Sequence, residues 1–263
     1  SRFIDQICLE NEVDGHYVEP YAGGASVALY LLMTNRVKEI TINDLDRAIY
    51  AFWFSVLHHT DQLCHTILHT PITVSEWEKQ KKILAGKNTE EDVIKLGFAT
   101  LFLNRTNFSG ILNGGMIGGR NQTGKYKLDC RFNKAKIIKK IKAIADKRDR
   151  IHLTNLDALD LIAQVPDNPN TIYYFDPPYY LKGPSLYMNH YNYQNHLDVS
   201  NAIKEIRGAR WIVSYDNTPE IQELYRGLRR IDYSFNHSAG GSREGRETIF
   251  FSNNILVDKA IHP

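Results

Sequence analysis

The chain has 263 residues, 43% of them hydrophobic and 24% charged, and a formal net charge of +2, which is typical of a globular protein of one large or two small domains. No uninterrupted apolar run approaches the roughly 20 residues that a membrane span needs, so an integral membrane protein is not expected. The three cysteines, Cys8, Cys64 and Cys130, are odd in number and widely spaced, which indicates reduced thiols and a cytoplasmic setting.

The first part of the chain alternates between strands and helices. A strand, a glycine-rich turn, a helix, a second strand and a second helix are predicted in turn, at residues 16–20, 21–26, 27–33, 37–42 and 47–57. The second strand ends at Asn43 and Asp44. This order is typical of the opening of a doubly wound α/β fold that binds nucleotides.

The alternation breaks after residue 57. Residues 58–150 are predicted to be helical and basic, with a loop rich in Gly and Asn at residues 104–124. Predicted strands resume afterwards, at residues 151–154, 171–175, 209–214, 228–235 and 247–251. We therefore expect one α/β sheet domain, residues 1–57 and 151–263, interrupted by a helical inserted domain, residues 58–150.

Charge is distributed unevenly along the chain. Residues 79–150 contain 18 Lys and Arg against 6 Asp and Glu, a net charge of +12, whereas the rest of the chain has a net charge of −10. A basic segment within an acidic body favours a nucleic-acid partner. The alternative is a solvated helix face, for which residues 134–142 have a suitable pattern.

The glycine-rich turn is a candidate ligand-binding loop. Its residues are Glu19, Pro20, Tyr21, Ala22, Gly23 and Gly24. Glycine lets the backbone approach a ligand closely, because it has no Cβ. The loop lacks the three-glycine fingerprint of dinucleotide sites, so NAD and FAD are weak candidates. Two adjacent glycines suit a smaller ligand that has an amino-acid end.

Two acids follow predicted strands. Asp44 comes about 20 residues after the glycine loop, where an acid hydrogen-bonds ribose hydroxyls in Rossmann-like sites. Its alternative role is an N-cap for the next helix. Asp157 follows the strand at residues 151–154 and could accept a hydrogen bond from an adenine amino group, with helix capping as the alternative.

The most informative motif follows the strand at residues 171–175. Asp176, Pro177, Pro178 and Tyr179 form a stiff turn there, because proline cannot continue a central strand. The motif offers an anionic acceptor, a carbonyl of restricted direction and a flat aromatic face, which together suit a heterocycle bearing an amino group. The alternative is a surface turn with a packing tyrosine.

Other motifs are weaker. Residues 119–125 have the spacing of a P-loop, but Tyr126 stands where a Ser or Thr would bind magnesium, and no strand leads into the segment. His65 and His69 share a helix face near other histidines, but no catalytic partner sequence accompanies them. We therefore expect no metal.

The glycine loop, Asp44, Asp157 and the Asp176–Tyr179 motif occur in an order that resembles the Dam-like DNA adenine-N6 methyltransferases, the D12 class or alpha group. Residues 19–24 are similar to that family's loop for the methyl donor, and Asp176–Tyr179 to its catalytic motif. Residues 103–111 resemble the start of its DNA-reading segment, and residues 247–251 its final strand.

The resemblance implies a Rossmann-like methyltransferase sheet, mostly parallel with an antiparallel final strand, and S-adenosylmethionine as the methyl donor. It implies catalytic roles for Asp176, Pro177, Pro178 and Tyr179, and donor contacts from residues 19–24, Asp44, Asp157 and Asp176. It implies a flipped-out adenine in double-stranded DNA as the substrate. The candidate DNA contacts are Asn104, Arg105, Asn107, Arg120 and Lys125, of which Arg105 comes first because arginine reads guanine bidentately.

The resemblance also implies a prokaryotic or phage enzyme that works in the cytoplasm at the nucleoid, needing no membrane and no protein partner. A Gly-Lys segment that this family carries before its first helix would fall ahead of Ser1, so we expect that truncation or disorder removed it. The motifs leave other acceptors open, namely cytosine N4, RNA adenine or a protein amide, and also a non-catalytic DNA-binding relative. The recognition sequence, the oligomeric state and a solitary, restriction-linked or mobile-element role are open too.

Overall fold

The chain forms two compact units, residues 1–45 with 150–263, and residues 46–149. The computed structural model describes residues 1–86, 92–181, 191–237 and 243–257. Within these ranges, no helix is both long and apolar enough to cross a membrane.

The first unit contains a seven-stranded sheet in the order β3-β2-β1-β4-β5-β7-β6. Its strands are β1 (His16–Glu19), β2 (Glu39–Asn43), β3 (Ile151–Thr154), β4 (Thr171–Phe175), β5 (Arg210–Asp216), β6 (Arg230–His237) and β7 (Arg243–Phe251). The strands β1 to β5 pair in parallel, and β7 runs antiparallel to both β5 and β6. The predicted mostly parallel α/β sheet with an antiparallel final strand is therefore confirmed.

Helices belong to both units. The first unit has α1 (Arg2–Glu10), α2 (Ser26–Met33), α8 (Ala158–Gln164), α9 (Tyr193–Glu205) and α10 (Pro219–Leu224). The second unit has α3 (Arg47–His58), α4 (Thr60–His69), α5 (Val74–Ala85), α6 (Val93–Thr106) and α7 (Lys134–Ala145), with short 3-10 turns at residues 108–110 and 148–150.

One part of the core of the first unit lies on the face of the central strands that carries Tyr173 and Phe175. Tyr173 and Phe175 of β4 are two residues apart, so their side chains share a face, and their rings stack with centroids 5.4 Å apart. They pack with Trp211 of β5 and with Val199 and Ile203 of α9. This packing fixes the ends of β4 and β5, where the loops of interest begin.

The second unit is built around α6, whose residues from Leu96 to Leu103 are all buried. Gly97 lets α3 approach closely, since a Cβ at that position would lie 2.5 Å from the carbonyl oxygen of Ala51. Ala51 packs in one apolar cluster with residues of α6. The helix α3 thus falls in the second unit, whereas the sequence places residues 47–57 with the sheet, because its apolar pattern alone does not show which partner it covers.

Candidate active site

Two loops leave the same edge of the sheet from neighbouring strands. In the parallel pair formed by β1 and β4, Val18 lies opposite Tyr173. The glycine loop follows β1, and Asp176 follows β4. Strands β2 and β3 extend to one side of β1 and strand β5 to the other side of β4, so this is the point where the strand order reverses. Open α/β sheets bind ligands at such a point.

The glycine loop is held in a defined conformation. The Ala22 N–H donates to the carbonyl oxygen of Asn43 over 2.8 Å. The Gly23 N–H donates to Asp44 Oδ2 over 2.9 Å. Gly23 has a left-handed backbone with φ +47°, and a Cβ at Gly24 would have no atom within 4 Å. The loop therefore leaves open space beside a bent backbone, as the sequence predicted for a close approach by a ligand.

Glu19 is buried at the base of this loop. Its Oε1 accepts hydrogen bonds from the Tyr17 hydroxyl over 2.9 Å and from the Ala28 N–H over 3.1 Å. Burial is the main reason that the pKa of Glu19 is raised from 4.5 to about 7, and the negative charge of Asp176 adds to the effect. Glu19 therefore ties β1 to the first turn of α2, and it lies close enough to Asp176 to sense its charge.

We expect Glu19→Gln to stabilise the protein more at high pH than at low pH. The fold favours the neutral carboxyl of Glu19, so its stabilising contribution is present below about pH 4.5 and is lost as the pH rises through about 7. The loss amounts to roughly 3 kcal/mol, and a glutamine oxygen can accept the same two hydrogen bonds. Melting curves at pH 5 and pH 8 should show a Tm advantage for the variant that grows by several degrees. An equal advantage at both pH values would contradict the assignment.

Asn43, to which the sequence assigned no role, links the loops around the site. Its Nδ2 donates to the carbonyl oxygens of Pro20 over 2.9 Å and Leu156 over 3.0 Å. Its Oδ1 accepts from the Thr154 hydroxyl over 2.8 Å and the Leu156 N–H over 2.9 Å. These four bonds use the full capacity of the amide and join the loops that follow β1, β2 and β3. The available signal was an amide at the end of a strand in which apolar and polar residues alternate.

Replacing Asn43 with alanine should destabilise the protein by roughly 3 kcal/mol or more, because several buried polar groups lose their partner at once. Denaturant unfolding measures this free energy. The matched control is Asn155→Ala: Asn155 is exposed and donates to the Asp44 carbonyl oxygen over 2.6 Å, so its loss should cost less than 1 kcal/mol. Equal losses for the two variants would mean that Asn43 is not the central link.

The two strand-end acids differ in their surroundings. Asp44 binds the backbone of the glycine loop, and the N-cap role that the sequence left open belongs instead to Asp46, whose side chain accepts from the Ala48 N–H. Asp157 does cap a helix, since its Oδ1 accepts from the Leu159 N–H over 2.9 Å. Both acids raise the pKa of Tyr191, although burial is the larger cause. Asp44 and Asp157 therefore face the same region of the first unit.

The Asp176–Tyr179 turn presents its carboxylate to solvent. The Asp176 side chain is accessible, although protein surrounds it closely enough to remove much of its hydration. This desolvation, followed by the negative charge of Glu247, raises the pKa of Asp176 to about 7. Pro177 is buried and Pro178 is half-buried, so the turn is anchored behind its exposed acid.

Two carboxylates that the sequence did not single out hold the end of this turn. Glu247 accepts hydrogen bonds from the hydroxyls of Tyr179 and Tyr233. Asp216 accepts from the N–H groups of Tyr180 and Leu181. No local pattern indicated this arrangement, because it depends on strands that are distant from the turn along the chain.

The predicted DNA contacts lie in the second unit. Asn104 is exposed, and its Nδ2 donates to the Gly110 carbonyl oxygen over 3.1 Å. Arg105 is half-buried and donates from Nε to the Arg131 carbonyl oxygen over 2.8 Å. Arg120 is exposed and pairs with Glu78. Lys125 is exposed, with its Nζ 5.6 Å from the centre of the Tyr126 ring.

Asn107 requires a correction. The side chain is fully buried, its Oδ1 accepts from Trp77 Nε1 over 2.7 Å, and its Nδ2 donates to the carbonyl oxygens of Ile111 and Leu112. These bonds satisfy both amide hydrogens inside the protein, so Asn107 supports the loop at residues 107–112 and is not placed to touch DNA. Sequence alone did not show that this residue turns inward.

The two weaker motifs add no second site. The segment at residues 119–125 follows a turn rather than a strand, unlike a P-loop. The rings of His65 and His69 lie 4.3 Å apart, and among the residues that the structure describes no three His, Cys, Asp or Glu side chains gather in a way that could hold a metal ion.

The strand order, the glycine loop after β1, the acid after β2 and the antiparallel final strand define the fold class of the Rossmann-like methyltransferases. Within that class, the chain belongs to the D12 class N6 adenine-specific DNA methyltransferases, whose family model matches residues 1–237. The family that the motifs predicted is therefore confirmed.

Individual relatives are distant. The chain is 25% identical over 179 residues to the type II methyltransferase M.MjaIII of Methanocaldococcus jannaschii, a match that covers 62% of this chain and 58% of that relative. Among solved structures, TrmN from Thermus thermophilus is 13% identical to this chain, with a TM-score of 0.41. The match covers 94% of this chain and 47% of the TrmN chain. The rRNA methyltransferase aviRa from Streptomyces viridochromogenes is 12% identical to this chain, with a TM-score of 0.41. The match covers 95% of this chain and 81% of the aviRa chain.

Proposed function

We propose that this chain transfers the methyl group of S-adenosylmethionine to N6 of an adenine flipped out of duplex DNA, the activity classified as EC 2.1.1.72. The observation that carries the proposal is the meeting of the glycine loop and the Asp176–Tyr179 turn on neighbouring strands β1 and β4. Membership of the family supports the same reaction. A cytoplasmic setting at the nucleoid is part of the proposal, because the proposed substrate is DNA.

The residues around the glycine loop fit S-adenosylmethionine. The open space beside Gly23 and Gly24 admits a ligand close to the backbone, and Asp44 and Asp157 offer carboxylates to hydroxyl and amino groups. The accessible carboxyl of Asp176 suits a positively charged ligand. When bound, this donor supplies a methyl carbon on a sulfonium, from which sulfur leaves readily.

The chemical difficulty lies with the acceptor, because the lone pair of the adenine amino nitrogen is delocalised into the ring. Asp176 and the Pro177 carbonyl oxygen accept hydrogen bonds from the two hydrogens of this amino group. These bonds draw the nitrogen toward tetrahedral geometry. They also stabilise the positive charge that develops as the new N–C bond forms, which is electrostatic catalysis. One proton then passes from nitrogen to Asp176 or water. Asp176 needs to be ionised for this role, but it does not need to be a strong base.

The flat face of Tyr179 is proposed to stack on the flipped adenine, a contact worth roughly 1–3 kcal/mol by analogy with single-strand binders. A base inside a duplex cannot reach a pocket of this kind, so it is taken out of the stack. The Tyr179 hydroxyl is bonded to Glu247, which holds the ring in one orientation. The rigid turn and the fixed ring thus give the base a defined position.

The second unit is proposed to bind DNA through its basic residues. Arg105 is the first candidate for base contact, and its bond to Arg131 uses one of five guanidinium donors and orients the rest of the group. Asn104, Arg120 and Lys125 are exposed and remain candidates. Affinity for DNA should fall steeply as salt rises, because phosphate contacts release counterions.

The proposal is tested by incubating the protein with labelled S-adenosylmethionine and random-sequence duplex DNA, followed by mapping of the modified positions. The expected result is N6-methyladenine in a fixed sequence context. Label at cytosine N4, or label only on RNA, would identify a different acceptor. Normal donor and DNA binding without any transfer would indicate a non-catalytic relative.

A further inference from the structure

Strand β5 ends with an arrangement of charges that needs an explanation. In the antiparallel ladder between β5 and β7, Asp216 lies directly opposite Glu247. Side chains of directly opposed residues lie on the same face of a sheet, and like charges in that position destabilise it. Asp216 is also only 8% exposed, so its carboxylate has given up most of its hydration. A buried carboxylate next to another is retained only where hydrogen bonds compensate it.

The compensation comes from the residues just after the catalytic turn. Asp216 Oδ1 accepts the Tyr180 N–H over 2.8 Å, and Asp216 Oδ2 accepts the Leu181 N–H over 2.9 Å. Glu247 takes the hydroxyl of Tyr179 with one oxygen and that of Tyr233 with the other. The two opposed carboxylates therefore hold three consecutive residues, Tyr179 to Leu181, by hydrogen bonds.

These hydrogen bonds matter for the two prolines that precede Tyr179 in the turn. Pro177 and Pro178 have no N–H group, so they cannot donate a hydrogen bond to the sheet. The direction of the Pro177 carbonyl is therefore set by the two ends of the turn, which are β4 on one side and Tyr180 and Leu181 on the other. A displacement of about 1 Å at a reacting group can cost on the order of 10²-fold in rate.

We propose that Asp216 is a positioning residue for methyl transfer, which fixes the orientation of Asp176 and the Pro177 carbonyl by binding the backbone of Tyr180 and Leu181. Glu247 completes the arrangement by fixing the Tyr179 ring. The inference rests on the proposed function, since it assigns the turn to an adenine amino group. Asp216 is assigned no direct contact with either substrate.

The chain offers a matched control at the other end of the same strand. Asp167 also uses its carboxylate to bind the backbone of a loop, accepting from the N–H groups of Arg207 over 3.0 Å, Gly208 over 2.9 Å and Ala209 over 2.5 Å. That loop precedes Arg210, the first residue of β5, so it lies at the edge of the sheet away from Asp176. The variants Asp216→Asn and Asp167→Asn thus make the same chemical change at opposite ends of β5.

The experiment compares the wild type with both variants by single-turnover methyl transfer at saturating donor and DNA, by donor and DNA affinity, and by hydrogen exchange of the Tyr180 and Leu181 amides. For Asp216→Asn we expect the transfer rate to fall about 30-fold or more, both Kd values to stay within about threefold, and the two amides to exchange at least about tenfold faster. Asp167→Asn should leave the rate within about twofold and the two amides unchanged.

The inference is overturned if Asp216→Asn transfers methyl groups within about twofold of the wild-type rate, if its loss of rate matches its loss of donor affinity, or if the two amides stay protected. Failure of the proposed function looks different, since the wild type itself would not modify adenine. Hydrogen exchange decides the role of Asp216 even in that case, because protection of the two amides without its carboxylate would show that it does not hold the turn.

Discussion

Asp176→Ala is expected to reduce methyl transfer by at least about 10³-fold while donor and DNA affinities change by less than about threefold. The reason is that the Asp176 carboxylate acts on the amino group only as positive charge develops, so its loss is felt in the transition state more than in binding. Single-turnover transfer of a labelled methyl group to duplex DNA measures the rate, and calorimetric titration measures the two affinities.

Asp176→Asn is the informative companion, because the amide keeps one acceptor oxygen but carries no charge. It should retain part of the lost activity if hydrogen bonding contributes independently of charge. Glu205→Ala is a suitable control, since Glu205 is an exposed acid at the end of α9, with 77% of its side chain accessible. Wild-type turnover by Asp176→Ala would show that the catalytic assignment is wrong.

Methyl transfer should also depend steeply on pH below neutrality. The pKa of Asp176 is raised to about 7, first by desolvation and then by the charge of Glu247, so the ionised fraction falls about tenfold for each pH unit below that value. Because only the ionised carboxylate has the negative charge that stabilises the positive charge developing on the nitrogen, kcat/KM should rise with pH through about 7 and level off above it. The midpoint for kcat should lie lower, since a bound sulfonium stabilises the carboxylate.

Two variants identify the group that titrates. Glu247→Gln removes the neighbouring negative charge and should move the midpoint of kcat/KM to lower pH. Glu19→Gln should keep the loss of activity below about pH 7, although Glu19 also has a pKa raised to about 7. If the activity of Glu19→Gln no longer fell at low pH, the pH dependence would belong to Glu19. If Glu247→Gln left the midpoint unchanged, the titrating group would not be Asp176.

The sequence predicts the sheet well where local pattern decides the structure. Strand β4 is apolar and ends at two prolines, so both its existence and its end follow from the residues themselves. The glycine loop follows similarly, since Gly23 adopts the left-handed backbone that glycine tolerates. These local features were enough to predict the strand end and the bent loop beside it.

What the sequence did not predict depends on contacts between distant parts of the chain. Asn107 is a residue type that is common in exposed loops, and only its contact with Trp77 shows that its amide turns inward. The role of Asp216 depends on the antiparallel register with β7, which places Glu247 opposite it. Neither position differs locally from an ordinary polar residue, because the deciding partner is many residues away.

The bonds of Asn43 have a consequence for how this protein could be engineered. One amide holds the loops after β1, β2 and β3, so exchanging any one of these loops for that of another protein alters the support of the other two. A graft that brings in a new loop should succeed only if it preserves the carbonyl, hydroxyl or N–H group that Asn43 binds. These three loops can therefore be exchanged only as a set, whereas the turn after β4 depends on Asp216 and Glu247 instead.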